Sequence, residues 1–306
     1  YVDVNWLIHE SAQKVFRYGR YEHVDRIVKR AAASHEDVFR QLSNELNDIV
    51  SFVNPTTSLY LAIDGVAPKC KELEQRRRRM IYKTTDINTF DPNSITPGTR
   101  FMKNLARYLK YNDWLTYTRH LEIDISDDLE CGEGEHKIID TIRRDHHKMS
   151  NCVAGIDSDL MMLCPLVSYN SKKLYLLRNT DIIDIGAFVR YLTIPVEDFV
   201  LMCMTLGNDF LPPLPGMTIS RLNDLMLCYR DIGLPLVVNG KISIDAYVIL
   251  MLEFNSVIDD RTEHSSISSD RVRVLDYVKT LEWVLRYYTK GVPSWSWYYD
   301  HKTVPE

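Results

Sequence analysis

The chain has 306 residues, 45% of them hydrophobic and 26% charged, the composition of a globular protein with one large domain or two modest ones. No apolar run approaches the roughly 18 residues of a membrane span, and no cleavable apolar segment opens the sequence, so an intracellular protein is expected, cytoplasmic in preference to nuclear and without membrane contact. A formal charge of −5 excludes a protein that simply coats nucleic acid, since phosphate binding then shows as a basic excess.

Short apolar runs alternate with longer amphipathic ones, which predicts an α/β fold with a largely parallel, twisted sheet flanked by helices. The chain opens inside an apparent strand, YVDVNWLI, with Tyr1–Val4 as the strand proper, and part of the natural amino terminus is expected to be absent. The spacing of Val38, Leu42, Ile49 and Val53 predicts a helix over Glu36–Val53, stopping before Pro55. A strand follows at Leu59–Ile63, then a basic helix over 71–80, then a helix over Thr99–Leu109 behind the turn of TPGT. Strands are expected at Leu121–Ile125, Cys152–Ile156 and Lys173–Leu177. A helix over Glu135–His146 turns Ile138, Ile139 and Ile142 inward, and another over Glu197–Leu206 ends at Gly207, where a left-handed cap is common. The chain divides into a long first part (1–254), a Ser-rich linker or mobile loop (255–270) and an aromatic-rich segment (271–306). Six scattered cysteines without ligand spacing argue against both disulfides and zinc.

Ligands of parallel α/β sheets gather at the carboxyl ends of the strands, and acids recur there. Asp3 lies in VDVN, Asp64 ends LYLAID, Glu133 and Glu135 sit in CGEGEHK, Asp157 and Asp159 form GIDSD, and Asp209 follows the helix end in LGNDFLP. Seven carboxylates at one edge repel by several kcal/mol unless protons or divalent cations neutralise them. Oxygen ligands favour Mg²⁺, with Mn²⁺ as substitute, and two ions roughly 3.5–4 Å apart suit phosphodiester hydrolysis. Asp157 and Asp159, as an i, i+2 pair on extended backbone, can face one ion. Any one of these acids alone reads as a cap or surface charge, and Asp124, Asp127 and Asp128 are expected to be of that kind.

Residues 69–83 hold seven Lys or Arg against two Glu. On a helix, Lys71, Gln75, Arg78 and Arg79 share one face and offer an ammonium, an amide and two guanidinium groups to a terminal phosphate. A solvated basic face fits the same charge pattern. His9 and the pair Trp295 and Trp297 present rings on which unstacked bases can lie, although tryptophans in such a segment are more often core.

Taken together, YVDVNWLIH, LAIDGVAPKCKELEQRRRR, FDPNSITPGTRFM, ECGEGEHKIID, GIDSDLMML, LMCMTLGNDFLPPLP and WVLRYYTKGVPSWSWYY resemble the Xrn/Rat-type 5′→3′ exoribonucleases, in the family's order along the chain. The resemblance implies that 1–254 is a catalytic core related to the PIN-like and flap nucleases, and that 271–306 packs on it and completes the RNA-entry site. It implies that Asp3, Asp64, Glu133, Glu135, Asp157, Asp159 and Asp209 hold two Mg²⁺ ions, and that Lys71, Gln75, Arg78 and Arg79 hold the 5′-phosphate. His9 would stack on a base together with Trp295 or Trp297. The implied activity is 5′→3′ hydrolysis of single-stranded RNA carrying a 5′-monophosphate, with release of mononucleotides. Two departures stand out: the family's PGEGE is CGEGE here, and its small residue after the first aspartate motif is Trp6, expected to narrow the pocket. The alternatives are a flap-type structure-specific DNA nuclease and a non-catalytic RNA-binding relative.

Overall fold

The computed structural model describes residues 1–21, 33–81, 90–116, 120–145, 149–258 and 271–301, without the side chains at 78, 81 and 271. These form two compact units, one built from Tyr1–Ala67 and Gln75–Gly186 and the other from Pro68–Glu74 and Ala187–Glu306.

The first unit runs β1 (Val2–Asp3), α1 (Asn5–Phe16), α2 (His35–Val53) and β2 (Ser58–Ala62), then α3 (Lys69–Ile81), whose first residues belong to the second unit. It continues with α4 (Arg100–Tyr111), β3 (Glu122–Ser126), α5 (Gly134–Arg144), β4 (Ser150–Ala154), α6 (Leu160–Val167), β5 (Lys173–Arg178) and β6 (Asp181–Asp184). The sheet order is β3-β2-β1-β4-β5-β6, parallel throughout except for the antiparallel edge strand β6. The chain starts at the centre, builds outward through β2 and β3, then crosses to build β4 and β5 on the other side. The reversal of order lies beside β1, where an open α/β sheet forms its crevice.

Helix boundaries follow local chemistry. Ser34 and Asp37 close a reciprocal capping box at the start of α2, and the Thr99 hydroxyl accepts from the Met102 N–H at the start of α4. Val4, Leu7, Ile8, Leu42, Leu46, Leu61, Ile63, Met102 and Leu105 are almost fully buried and fuse α1, α2, α4, β1 and β2 into one core. The structure corrects the opening strand: only Val2–Asp3 pair, and NWLI begins α1. Leu7, Ile8, Ser11 and Ala12 are buried at helical spacing, which a short apolar run does not reveal on its own. The strand expected at Cys152–Ile156 ends at Ala154, while β6 is too short and polar to stand out.

The second unit contains α7 (Ile185–Leu192, which begins in the first), α8 (Val196–Thr205), α9 (Leu222–Ile232), a two-residue hairpin of β7 (Val237–Val238) and β8 (Lys241–Ile242), α10 (Ile244–Ile258) and α11 (Arg271–Lys290). Leu201, Met204, Leu225, Leu250, Phe254, Leu281, Val284 and Tyr288 make its own core. The stretch 1–254 thus contributes to both compact units, which part after Ala67, Glu74 and Gly186. The expected linker is corrected too: 255–258 continue α10, whose Phe254 anchors it in that core, and 259–270 lie outside the described residues, as does His146 at the end of the helix expected over Glu135–His146. The aromatic segment packs as expected, Trp283 and Tyr287 lying 5.6 and 5.7 Å from the Phe210 ring. Gly207 closes α8 at φ +97°, a conformation glycine adopts without strain. All six cysteines are free. Among the described residues no helix is long and apolar enough to cross a membrane.

Candidate active site

The carboxyl ends of β1 and β2 and the first turn of α5 converge. Asp3, the last residue of β1, is buried, and its Oδ1 accepts a long bond of 3.4 Å from the Asn5 N–H. Asn5 also accepts the Asp64 N–H on its Oδ1 at 3.0 Å, so one amide residue ties both aspartates to the start of α1. Asp64 Oδ1 accepts the Gly134 N–H at 2.7 Å. A Cβ at Gly134 would lie 2.7 Å from Asp3 Oδ1 and 3.2 Å from the Ala62 carbonyl oxygen, so only glycine lets α5 start this close to the aspartates.

Ligand oxygens of Asp3, Asp64 and Glu135 all lie within 4.8 Å of one another, and Glu133, Glu135 and His136 form a second such group. Burial pushes the Asp3 carboxyl well above its ordinary range; Asp64 adds to this, the Asn5 N–H opposes it, and Asp157 and Glu133 add further. Three carboxyl groups in so small a volume repel one another when ionised, and hard oxygen donors at this spacing suit a divalent cation.

The GIDSD reading needs correction. Asp159 has helical dihedrals at the N-cap of α6, and Asp157 Oδ1 accepts the Asp159 N–H at 3.1 Å, so the pair forms an Asx turn rather than an extended segment. Asp157 still bears on Asp3 electrostatically, though neither it nor Asp159 belongs to the two close groups. In the second unit Asp209 pairs with the buried Lys71 at 2.7 Å, with the Lys71 ammonium 5.4 Å from the Phe210 ring centre. A residue expected on phosphate and one expected on metal thus hold each other. Asp127 and Asp128 are structural, as expected: Asp127 pairs with Lys110 at 2.6 Å and Asp128 accepts the Gly98 N–H at 2.6 Å.

On α3, Arg79 donates to Gln75 Oε1 at 3.3 Å, and both side chains line a cleft of about 350 Å³ in the first unit. Asp64, Asn5 and His9 line it too. Burial lowers the His9 imidazole below its ordinary value, favouring a neutral ring. The Arg78 side chain lies outside what is described. Trp295 is 48% exposed, whereas Trp297 is half-buried and donates its indole N–H to Thr280 Oγ1 at 3.2 Å. Trp6 packs against the core and does not line the cleft, contrary to expectation.

Several site features are absent from the sequence reading. Asn5 stands two residues after Asp3 in the same motif, His136 and Lys137 directly follow Glu135, and Pro92, Asn93, Ile95, Thr96 and Pro97, from the FDPNSITPGTRFM stretch, form part of the cleft wall. The available signal in each case is proximity to an acid of the set or membership of a recognised motif.

Two family matches cover most of the chain. Residues 1–87 and 80–180 match the XRN 5'-3' exonuclease N-terminus, and residues 193–264 and 254–305 match the Xrn1 helical domain. The chain belongs to the XRN 5'-3' exonuclease family. It is 29% identical over 283 residues to 5'-3' exoribonuclease 1 of Saccharomyces cerevisiae, covering 72% of this chain and 18% of that protein. To 5'-3' exoribonuclease 2 of Gallus gallus it is 26% identical over 363 residues, covering 85% and 37% respectively. That alignment is longer than the chain itself, so the relative carries internal segments absent here. The chain spans a fifth to about a third of the length of these relatives. Among solved structures, the catalytic core of Rad2 in complex with DNA substrate gives a TM-score of 0.46 at 13% identity, covering 100% of this chain and 80% of that one.

Proposed function

We propose that the chain carries the catalytic core of a 5′→3′ exoribonuclease acting on single-stranded RNA with a 5′-monophosphate and releasing mononucleotides. The observation that carries this is the shared cleft: Asp64 of the carboxylate group, Gln75 and Arg79 of the basic helix and His9 all face one volume of about 350 Å³. Polarity and substrate class come from the relatives, which are named 5'-3' exoribonucleases.

Asp3, Asp64, Glu133, Glu135, Asp157 and Asp159 would hold divalent metal, Mg²⁺ with Mn²⁺ as substitute. Asp209, in the second unit, is assigned to the same set by its motif. When bound, the ions would lower the pKa of a water and stabilise the leaving oxygen. Arg79 and Gln75 orient the terminal phosphate through guanidinium and amide donors, with Lys71 and Arg78 assigned to it by their motif. The neutral His9 ring offers a stacking face for the leading base, and of the two tryptophans Trp295, the more exposed, is the one assigned to offer another. In this reading 1–254 supplies the chemistry and 271–306 completes the approach for RNA.

The test is turnover of matched single-stranded RNAs bearing a 5′-monophosphate, a 5′-triphosphate or a 5′-hydroxyl, in Mg²⁺. The monophosphate is expected to be degraded at least about tenfold faster, the worth of one lost charge-assisted contact. Equal rates on all three would remove the phosphate pocket from the proposal.

A further inference from the structure

Lys137 is buried, with 8% of its surface exposed, on the first turns of α5. Its ammonium donates to two backbone carbonyls, Ile63 at 2.7 Å and Asp127 at 2.8 Å. Ile63 directly precedes Asp64. Asp127 opens the segment leading from β3 to Glu133, and Lys137 itself follows Glu135 by two residues on α5. Its stem runs beneath the glycine-rich approach to the helix, since a Cβ at Gly132 would lie 3.9 Å from Lys137 Cγ. One side chain therefore joins the three segments that deliver Asp64, Glu133 and Glu135.

Burying an ammonium is costly, and a neutral core residue would hold the same three segments by packing alone. What the ammonium adds is direction and charge. Two carbonyls are pinned at hydrogen-bond distance, and a positive charge stands behind carboxylates that otherwise face one another. Asp64, Asp127, Asp128 and Glu130 all interact favourably with that charge. The arrangement resembles the outer layer of a metal centre, where groups that touch no metal fix the ligands that do.

We propose that Lys137 is a positioning residue for the metal-binding carboxylates: through Ile63 and Asp127 it fixes the backbone that presents Asp64 and the first turn of α5. The inference rests on the metal-binding reading above.

The test is calorimetric titration of the 306-residue chain with Mn²⁺, wild type against Lys137→Met and Lys137→Arg, with thermal melting in chelator as a separate measure of folding. Wild type is expected to bind Mn²⁺, with Lys137→Met binding about 10- to 100-fold more weakly while still folded, as loss of an outer-layer partner produces. Lys137→Arg, which keeps the charge but moves the donors, falls between the two. A Mn²⁺ Kd for folded Lys137→Met within about threefold of wild type, well under the usual outer-layer effect, overturns the inference and leaves the functional reading intact. Absence of Mn²⁺ binding by wild type overturns both. If Lys137→Met does not fold, Lys137→Arg decides alone: a Kd at least about threefold weaker supports the inference, since Arg and Lys donors do not superimpose, and an unchanged Kd overturns it.

Discussion

Two buried carboxylates, one in each unit, are held in opposite ways. Asp198, on the first turn of α8, is fully buried and accepts the Tyr229 O–H at 2.6 Å, the Val237 N–H at 2.7 Å and the Leu236 N–H at 3.1 Å. Neutral donors surround it, and the phenol of Tyr229 is pushed up by its own burial and then by the bond to Asp198. Asp3 is 5% exposed and accepts one long backbone bond, while Asp64, Asp157 and Glu133 press their charges on it. Asp198 is a clamp that fastens the β7 hairpin to α8. Asp3 is poorly satisfied by the protein alone, and its surroundings make sense for a cation. The difference separates burial that serves the fold from burial that serves chemistry.

Substituting each in turn is the strongest way to break that comparison. Asp3→Asn is expected to cut turnover of 5′-monophosphate RNA by at least about 100-fold, because it removes one of the proposed metal ligands. Its metal-free stability in urea should stay level or rise, since a repelled anion is gone. Asp198→Ala strands a hydroxyl and two N–H groups, at about 3–5 kcal/mol of stability. Turnover per folded molecule should be far less affected than in Asp3→Asn. If Asp3→Asn lost as much stability as Asp198→Ala, both acids would be structural and the distinction would collapse.

A smaller effect sharpens the Asp3 side. In Gly134→Ala the added methyl would meet Asp3 Oδ1 at 2.7 Å and the Ala62 carbonyl at 3.2 Å, so α5 or Asp3 must move. Turnover should fall about tenfold through displaced ligands, with about 1–3 kcal/mol lost to crowding. Steady-state kinetics alongside denaturant melts would separate the two; turnover equal to wild type would mean that the close approach of α5 to Asp3 is dispensable.

Much of this was legible in the residues. Asp3, Asp64 and Asp157 each follow a short apolar run, and an acid directly after a buried strand has nowhere to go but the carboxyl edge of the sheet. Asp64 after LYLAI and Glu135 at the head of an amphipathic helix could be placed from periodicity alone. Pairings between distant residues could not. That Lys71 meets Asp209, 138 positions later, depends on how α3 starts and α8 ends in three dimensions, and a helical face only shows which way Lys71 points. Conformation within a motif was hidden as well: GIDSD fits a strand end by hydrophobicity, and only the bond from the Asp159 N–H to Asp157 makes it a turn. Lys137 carries no signal in the sequence, because its value lies in two backbone carbonyls, of Ile63 and Asp127, that sequence does not display.

Asp127 is a third kind of acid, held by a cation at the surface. Burial pushes its carboxyl up, but the bond from Lys110 and the Leu129 N–H together outweigh this and hold it below its ordinary value of 3.8. A carboxyl depressed in the folded state contributes stability above that ordinary value and loses it as pH falls through the folded one. Lys110 is 38% exposed at its side chain, so screening by water keeps the contribution to about 0.5 kcal/mol. Lys110→Met should therefore be less stable than wild type by about that amount at pH 6, and the gap should close as the pH drops below the carboxylate range. Melts across that interval at low salt are the measurement. A gap that persisted in acid would show that Lys110 contributes by packing rather than by charge. Asp127 would then lie closer to Asp198, where geometry does the holding, than to Asp3.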